Sequence, residues 1–426
     1  MIRRFFRDSA IYTLPSILSY GISFFLIPLY TRVLTPSDYG ALDMITVFGS
    51  LIALTVALEV SQGVARFYQD EKTSDGKRSL ASTALWFTLI AFTAFLVAAL
   101  AFAPALSLIV IGAPGLDDVF RLGIVYIWVN GIFYLLKNQL RFELRSKAYS
   151  SISIVHSLTT AGASVLLAYV FHFGIYGFLA GMIIGTAAGT LLGFYHLRTT
   201  YLPRFDLAKL RAMLAFSIPL VPSSIAVFVS MYIDRLMINY YLSLEEVGLY
   251  GIGYRLASTS TLVLVGFQMA LTPLVYKHYQ EPGTPHQLAT IFRTFLAAVI
   301  VIFLILSLFA DVALWILTTP AYYAASQVVV FLVPAILLSQ MYIFAPGIGI
   351  AKKTHLFVWI NVGGAVLNTF FNWMLIPRIG YVGRLLPPSL GICVSLARTC
   401  IAARNSTTCR MTGEPSPGLS LWRWRS

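Results

Sequence analysis

A handful of ionisable residues interrupt a sequence that is otherwise apolar for long stretches. Asp43 falls one helical turn into the apolar run that starts near residue 39, and Glu59 lies towards its other end. Asp234 and Arg235 close the run from 213, Arg255 sits about two turns into the run from 247, and Arg32 directly follows the first run. A charge at the centre of a bilayer costs about 2.5 kcal/mol or more, so such residues are suspects for function. The chemistry open to them is narrow. A carboxylate can hold a basic partner or a coupling cation such as H+ or Na+. The other reading is a structural ion pair or, near an interface, a snorkelling side chain.

Bond-making chemistry has less footing. The six histidines are scattered, and none forms an H-x-x-x-H pair. "GIGIA" at Gly347 lies inside an apolar run, so its glycines read as packing and not as a phosphate loop. "GFLAG" lacks the serine of a nucleophile elbow. The three cysteines crowd one end of the chain and make neither a disulfide framework nor a paired metal spacing. No catalytic residue, cofactor or metal site is expected.

The elements that position these residues must be membrane helices. Of 426 residues, 58% are hydrophobic and 11% charged, against about 25% charged in soluble chains, and the mean hydropathy is +0.79. This predicts an all-α polytopic membrane protein. Eleven runs reach bilayer length: 9–31, 39–60, 79–103, 119–139, 151–171, 174–196, 213–234, 247–270, 289–312, 326–350 and 355–377. A twelfth is due near 382–402. The first run exceeds a signal peptide's apolar core and lacks an A-x-A-like exit, so it reads as an uncleaved span.

Loop charge alternates. Arg3, Arg4 and Arg7 precede the first run; Arg66, Lys72, Lys77 and Arg78 follow the second; Lys137, Arg141, Arg145 and Lys147 follow the fourth; Arg198, Arg204, Lys209 and Arg211 follow the sixth; Lys352 and Lys353 follow the tenth. The opposite loops carry Asp117, Asp118, Glu245 and Glu246. This bias places the N-terminus in the cytoplasm, and it accounts for the net charge of +13 without a nucleic-acid partner. The sixth run holds Gly177, Gly181, Gly185, Gly189 and Gly193, a bare ridge for close helix packing or for sliding.

The chain also repeats itself. "LTPSDYGAL" from Leu34 aligns with "LSLEEVGLY" from Leu242 at an offset of 208, pairing Asp38 with Glu246 and Gly40 with Gly248. Six runs separate the copies, so both enter the membrane in the same direction. The expected architecture is two pseudo-symmetric six-helix bundles, residues 1–196 and 215–383, around a central cleft. A cytoplasmic linker, 197–214, joins them, with Asp206 as a helix N-cap. At the same offset Arg255 maps onto Val47, one turn from Asp43, so acid and base would look at each other across the cleft.

"FFLIPLYTRVLTPSDYGALDMI" and "YLSLEEVGLYGIGYRLAS" resemble the polysaccharide-biosynthesis (Wzx-like) flippases of the multidrug/oligosaccharidyl-lipid/polysaccharide exporter superfamily. The resemblance runs to about residue 383. It implies a non-enzymatic transporter in the bacterial plasma membrane. Its substrate would be an undecaprenyl-pyrophosphate-linked oligosaccharide, handled with other polysaccharide-assembly proteins. A pyrophosphate needs cationic partners, for which Arg255 and Arg32 are candidates. Asp43, Asp234 and Arg235 complete the expected substrate pathway. Asn361, Asn368 and Asn372 read as interhelical hydrogen-bonding residues. The alternatives are a cation-coupled drug or metabolite antiporter of the same superfamily, which expects an acid-dominated cleft, and a nonfunctional truncated product. The last arises from residues 384–426, which hold six Arg, no Lys, four Pro and all three Cys. That composition reads as translation out of frame, with loss of the twelfth helix.

Overall fold

The computed structural model describes residues 15, 17–19, 21–261, 284–339 and 355–379. Arg3, Arg4, Arg7, Gly347, Lys352, Lys353 and the segment from Arg384 onward lie outside the described residues.

The described chain is helical throughout: α1 (Ile27–Val33), α2 (Pro36–Thr55), α3 (Val60–Phe67), α4 (Ser74–Ala101), α5 (Ala103–Val110), α6 (Asp117–Phe142), α7 (Ser146–Ser164), α8 (Gly174–Leu197), α9 (Leu207–Ser217), α10 (Val221–Tyr241), α11 (Leu244–Ser258), α12 (Thr284–Leu308), α13 (Ala310–Leu317), α14 (Ala325–Ser339) and α15 (His355–Ile379). A π-helical turn, Val165–Val170, prolongs α7. Seven helical segments among the described residues are long and apolar enough to cross a membrane. They are α2, α4, α6, α7 with its π-turn, α8, α9 continued into α10, and residues 290–308 of α12. Each overlaps a span expected from hydropathy. Expected spans 9–31, 247–270 and 326–350 run into residues outside the description, and 355–377 coincides with α15.

The chain forms two compact units. One comprises Met1–Phe228, Arg235–Leu256 and Asp311–Ala325; the other comprises Val229–Asp234, Ala257–Ala310 and Ser326–Ser426.

In the first unit the repeat becomes geometry. Thr35 Oγ1 accepts from the Asp38 backbone N–H (3.2 Å) while the Asp38 carboxylate accepts from the Thr35 N–H (2.9 Å), a capping box that starts α2. At the 208 offset, Ser243 Oγ accepts from the Glu246 N–H (3.3 Å) at the start of α11. The two helix starts then cross with no side chain between them. A Cβ placed on Gly40 would lie 2.0 Å from the Leu244 carbonyl oxygen, and one on Gly248 1.9 Å from that of Pro36. Pro36 and Leu244 are themselves a repeat pair, so the crossing obeys a local two-fold axis.

The same symmetry joins the short helices. Asn239 Nδ2 donates to the Val110 and Ile111 carbonyls at the end of α5 (3.3 and 3.1 Å). Thr31 Oγ1, which donates to Ile27, also reaches the Leu317 carbonyl at the end of α13 (3.4 Å). Thr31 and Asn239 correspond at 208, and Val110 and Leu317 at 207. The second copy thus satisfies orphan carbonyls at the end of the first copy's short helix, while Thr31 of the first copy stands near the end of the second copy's. Tyr322 adds a bond from its hydroxyl to the Leu34 carbonyl (2.8 Å).

The linker is bolted to the first copy. Asp206 caps α9 by accepting from the Ala208 and Lys209 N–H groups, as expected. Lys209 Nζ meets Glu71 Oε1 at 2.7 Å and the Gly76 carbonyl at 2.9 Å. Leu210 and Met213 pack into a core with Val60, Val64, Leu80 and Ala84. Beside it, Glu143 accepts from Thr200, Gln139 and Tyr68. Burial, then the Glu143 carboxylate, holds the nearby Tyr201 phenol well above its usual range.

Candidate functional site

A cavity of about 570 Å³ opens inside the first unit. Four helical stretches line it with the same spacing, i, i+3, i+4, i+7, which is one face of a helix. The first stretch supplies Ser19, Ile22, Ser23 and Leu26; α2 supplies Tyr39, Leu42, Asp43 and Thr46; α6 supplies Asn130, Phe133, Tyr134 and Lys137; α7 supplies Ser153, His156, Ser157 and Thr160. Phe178 and Met182 of α8 and Arg255 of α11 complete much of the rest of the wall.

The glycine ridge holds that wall in place. A Cβ on Gly181 would stand 2.4 Å from the Ser164 nitrogen, one on Gly185 2.5 Å from that of Thr160, and one on Gly189 3.1 Å from His156 Cβ. α8 therefore lies directly against the backbone of α7, the packing role read for this ridge from the sequence.

Polar side chains interrupt a largely apolar cavity wall. Ser157 and Ser19 share a hydrogen bond of 2.7 Å. The Tyr39, Ser153 and Thr160 hydroxyls are buried and have no hydrogen-bond partner among the described residues. Burying a hydroxyl unpaired costs roughly 1–3 kcal/mol.

Its charges are arranged unequally. Arg255 lies over the Tyr39 ring, 5.0 Å from its centroid. Lys137 Nζ lies 5.2 Å from the centroid of Tyr149. Asp43 is tied elsewhere: its Oδ2 accepts from Arg235 Nε at 2.6 Å. Arg235 is itself buried, 4.6 Å from the Tyr254 ring centroid and 5.3 Å from that of Tyr250. Asp43 and Arg255 do line one cavity, but the hydrogen-bonded cation of Asp43 is Arg235 and not Arg255. Arg235 reaches Asp43 from α10, across 192 residues of sequence.

The other expected residues lie apart. Arg32 is exposed at the last turn of α1 and is not in the cavity wall. Asp234 belongs to the second unit, where it is buried and accepts from Asn372 Nδ2 (2.9 Å) and Asn368 Nδ2 (3.3 Å). These two asparagines make the interhelical bonds expected of them; the side chain of Asn361 lies outside the description. Glu59 is buried where the chain breaks between α2 and α3, with Leu58 and Glu59 both left-handed (φ 48° and 54°), and it does not line the cavity.

Two wall residues escaped the sequence reading. Lys137 counted there as loop charge, and His156 as one of six scattered histidines. The signal that could have found them is the i, i+3, i+4, i+7 polar stripe on α6 and α7.

Residues 29–273, more than half of the chain, match the family model described as polysaccharide biosynthesis protein. "Lsg locus putative protein 1" of Haemophilus influenzae is 24% identical over 402 residues, covering 89% of this chain and 95% of its own length. "Succinoglycan biosynthesis transport protein ExoT" of Rhizobium meliloti is 27% identical over 260 residues, 59% of this chain and 50% of ExoT. Among solved structures, a multidrug resistance MATE family transporter of the MOP superfamily in an inward-facing conformation superposes with a TM-score of 0.70. It is 17% identical and covers 93% of this chain and 96% of its own. A MOP superfamily transporter from Pyrococcus furiosus, reported to have reversed polarity in its binding pocket, gives 0.60 at 16% identity, over 95% and 96%. The fold is therefore that of MOP superfamily transporters, which are not enzymes. The chain is a multi-pass membrane protein, and it belongs to the polysaccharide biosynthesis protein family.

Proposed function

We propose that this chain flips an undecaprenyl-pyrophosphate-linked oligosaccharide across the bacterial plasma membrane by alternating access of its two bundles, with its N-terminus in the cytoplasm. The observation that carries the reading is the charge of the first-unit cavity. Lys137 and Arg255 line it, while Asp43, the one carboxylate among the described wall residues, is already bonded to Arg235. Two basic side chains on one wall suit an anionic headgroup. A drug-cation antiporter would need the opposite balance.

Arg255 is the residue to test. A planar guanidinium binds phosphate oxygens in pairs, and an ammonium does not. In a strain lacking the native gene, Arg255→Ala should insert at normal level and export no glycan, and Arg255→Lys should restore export only in part. Full export by Arg255→Ala would remove the residue from the site. Lys137→Gln should also reduce export.

A further inference from the structure

His156 sits on the cavity wall with its ring stacked on Phe133, 4.7 Å between centroids and 21° between planes. Its Nε2 lies 3.4 Å from Thr186 Oγ1. That hydroxyl already donates its one proton to the Met182 carbonyl at 2.7 Å. Thr186 must then accept at His156, so Nε2 carries hydrogen and the basic lone pair of the neutral ring is on Nδ1. Nδ1 has no hydrogen-bond partner among the described residues.

The charged and titratable groups facing this ring across the cavity are Lys137 and Tyr134 from α6, Tyr39 and Asp43 from α2, Tyr30 from α1 and Arg255 from α11. α8 presents Thr186, which does not titrate. Lys137 is one turn from Phe133, the residue on which His156 stacks, so ammonium and imidazole share one side of the cavity. Two cations side by side repel, and an anion placed between them removes the repulsion.

We propose that His156 is the proton-loading group of this cavity: Nδ1 takes a proton as a phosphate-bearing headgroup binds beside Lys137, and returns it when the headgroup leaves. This rests on the glycan-lipid reading above and gives its headgroup step one linked proton. The step is a proton transfer alone, from solvent to Nδ1 and back. Linkage makes it reciprocal: the factor by which the headgroup tightens the proton is the factor by which the proton tightens the headgroup. The advantage is present at low pH and is lost as pH rises.

The test uses the full chain in nanodiscs with geranylgeranyl diphosphate as probe, and its dissociation constant is measured from pH 5.5 to 8.5. The ratio of wild type to His156→Gln cancels the ionisation of the probe itself. Wild type should bind about tenfold more tightly than His156→Gln at pH 6 and within about twofold at pH 8.5, the change expected of one linked proton. Lys137→Gln should weaken binding at every pH and flatten the slope, because the repulsion that the headgroup relieves is then absent. His156→Asn serves the same purpose if the Gln variant does not fold. A ratio that stays constant across pH overturns the His156 proposal and leaves the headgroup reading standing. Equal affinity for uncharged geranylgeraniol, or no binding by wild type at any pH, overturns both.

Discussion

Arg235 is buried in a helical bundle, and Asp43 is the carboxylate bonded to it. Removing one member of a buried pair strands the other, at a cost of about 3 kcal/mol or more where both are fully dry. Asp43 keeps a side-chain exposure of 21%, so Asp43→Asn should cost about 2 kcal/mol. The readout is the melting temperature in detergent, and Asp43→Asn combined with Arg235→Gln should recover part of the loss. If the double variant melts lower than the sum of the single losses, the pair is not what stabilises the site. Export by Asp43→Asn should fall through stability, unlike that of Arg255→Ala. The sequence made Asp43 and Arg255 suspects because charge in an apolar run is conspicuous. It could not show that Asp43 would choose Arg235, 192 residues away, because that choice depends on where helices cross.

At the scale of helices, glycine decides how closely α8 can approach its neighbours. A Cβ on Gly185 would meet the Thr160 backbone nitrogen at 2.5 Å, whereas one on Gly193 would meet only the Leu136 side chain, 3.2 Å away. Backbone cannot give way and a leucine rotamer can. Gly185→Ala should therefore lower the melting temperature distinctly more than Gly193→Ala, and should also damage export, because Thr160 and His156 on the displaced helix line the cavity. Equal effects would mean that the ridge is not in contact with backbone. The ridge was legible because glycine every fourth residue survives inspection by eye. The polar stripes on α6 and α7 were not. A hydropathy window averages all faces of a helix, so Ser153, His156, Ser157 and Thr160 disappear among the isoleucines and leucines around them.

The whole molecule inherits its plan from the 208-residue repeat, whose thin sequence identity fell on the caps and glycines that the crossing requires. The side of the membrane on which that crossing lies follows from loop charge, and labelling can check it. Ser74 and Ser243 are both exposed. In a background without the native cysteines, Ser74→Cys should resist an impermeant thiol reagent in intact cells and Ser243→Cys should react; the reverse pattern would invert the topology. The contacts at the short helices also set a clock. The Val110 carbonyl is met by Asn239, 129 residues later, and Leu317 comes to lie near Thr31, 286 residues before it. At the usual pace of synthesis, about 5–20 residues per second, the first of these contacts is delayed by on the order of 10 s and the second by roughly 30 s. Throughout that interval the Val110 and Ile111 carbonyls lack the Asn239 amide that meets them in the finished fold, so this end of the first copy is completed only when the second arrives.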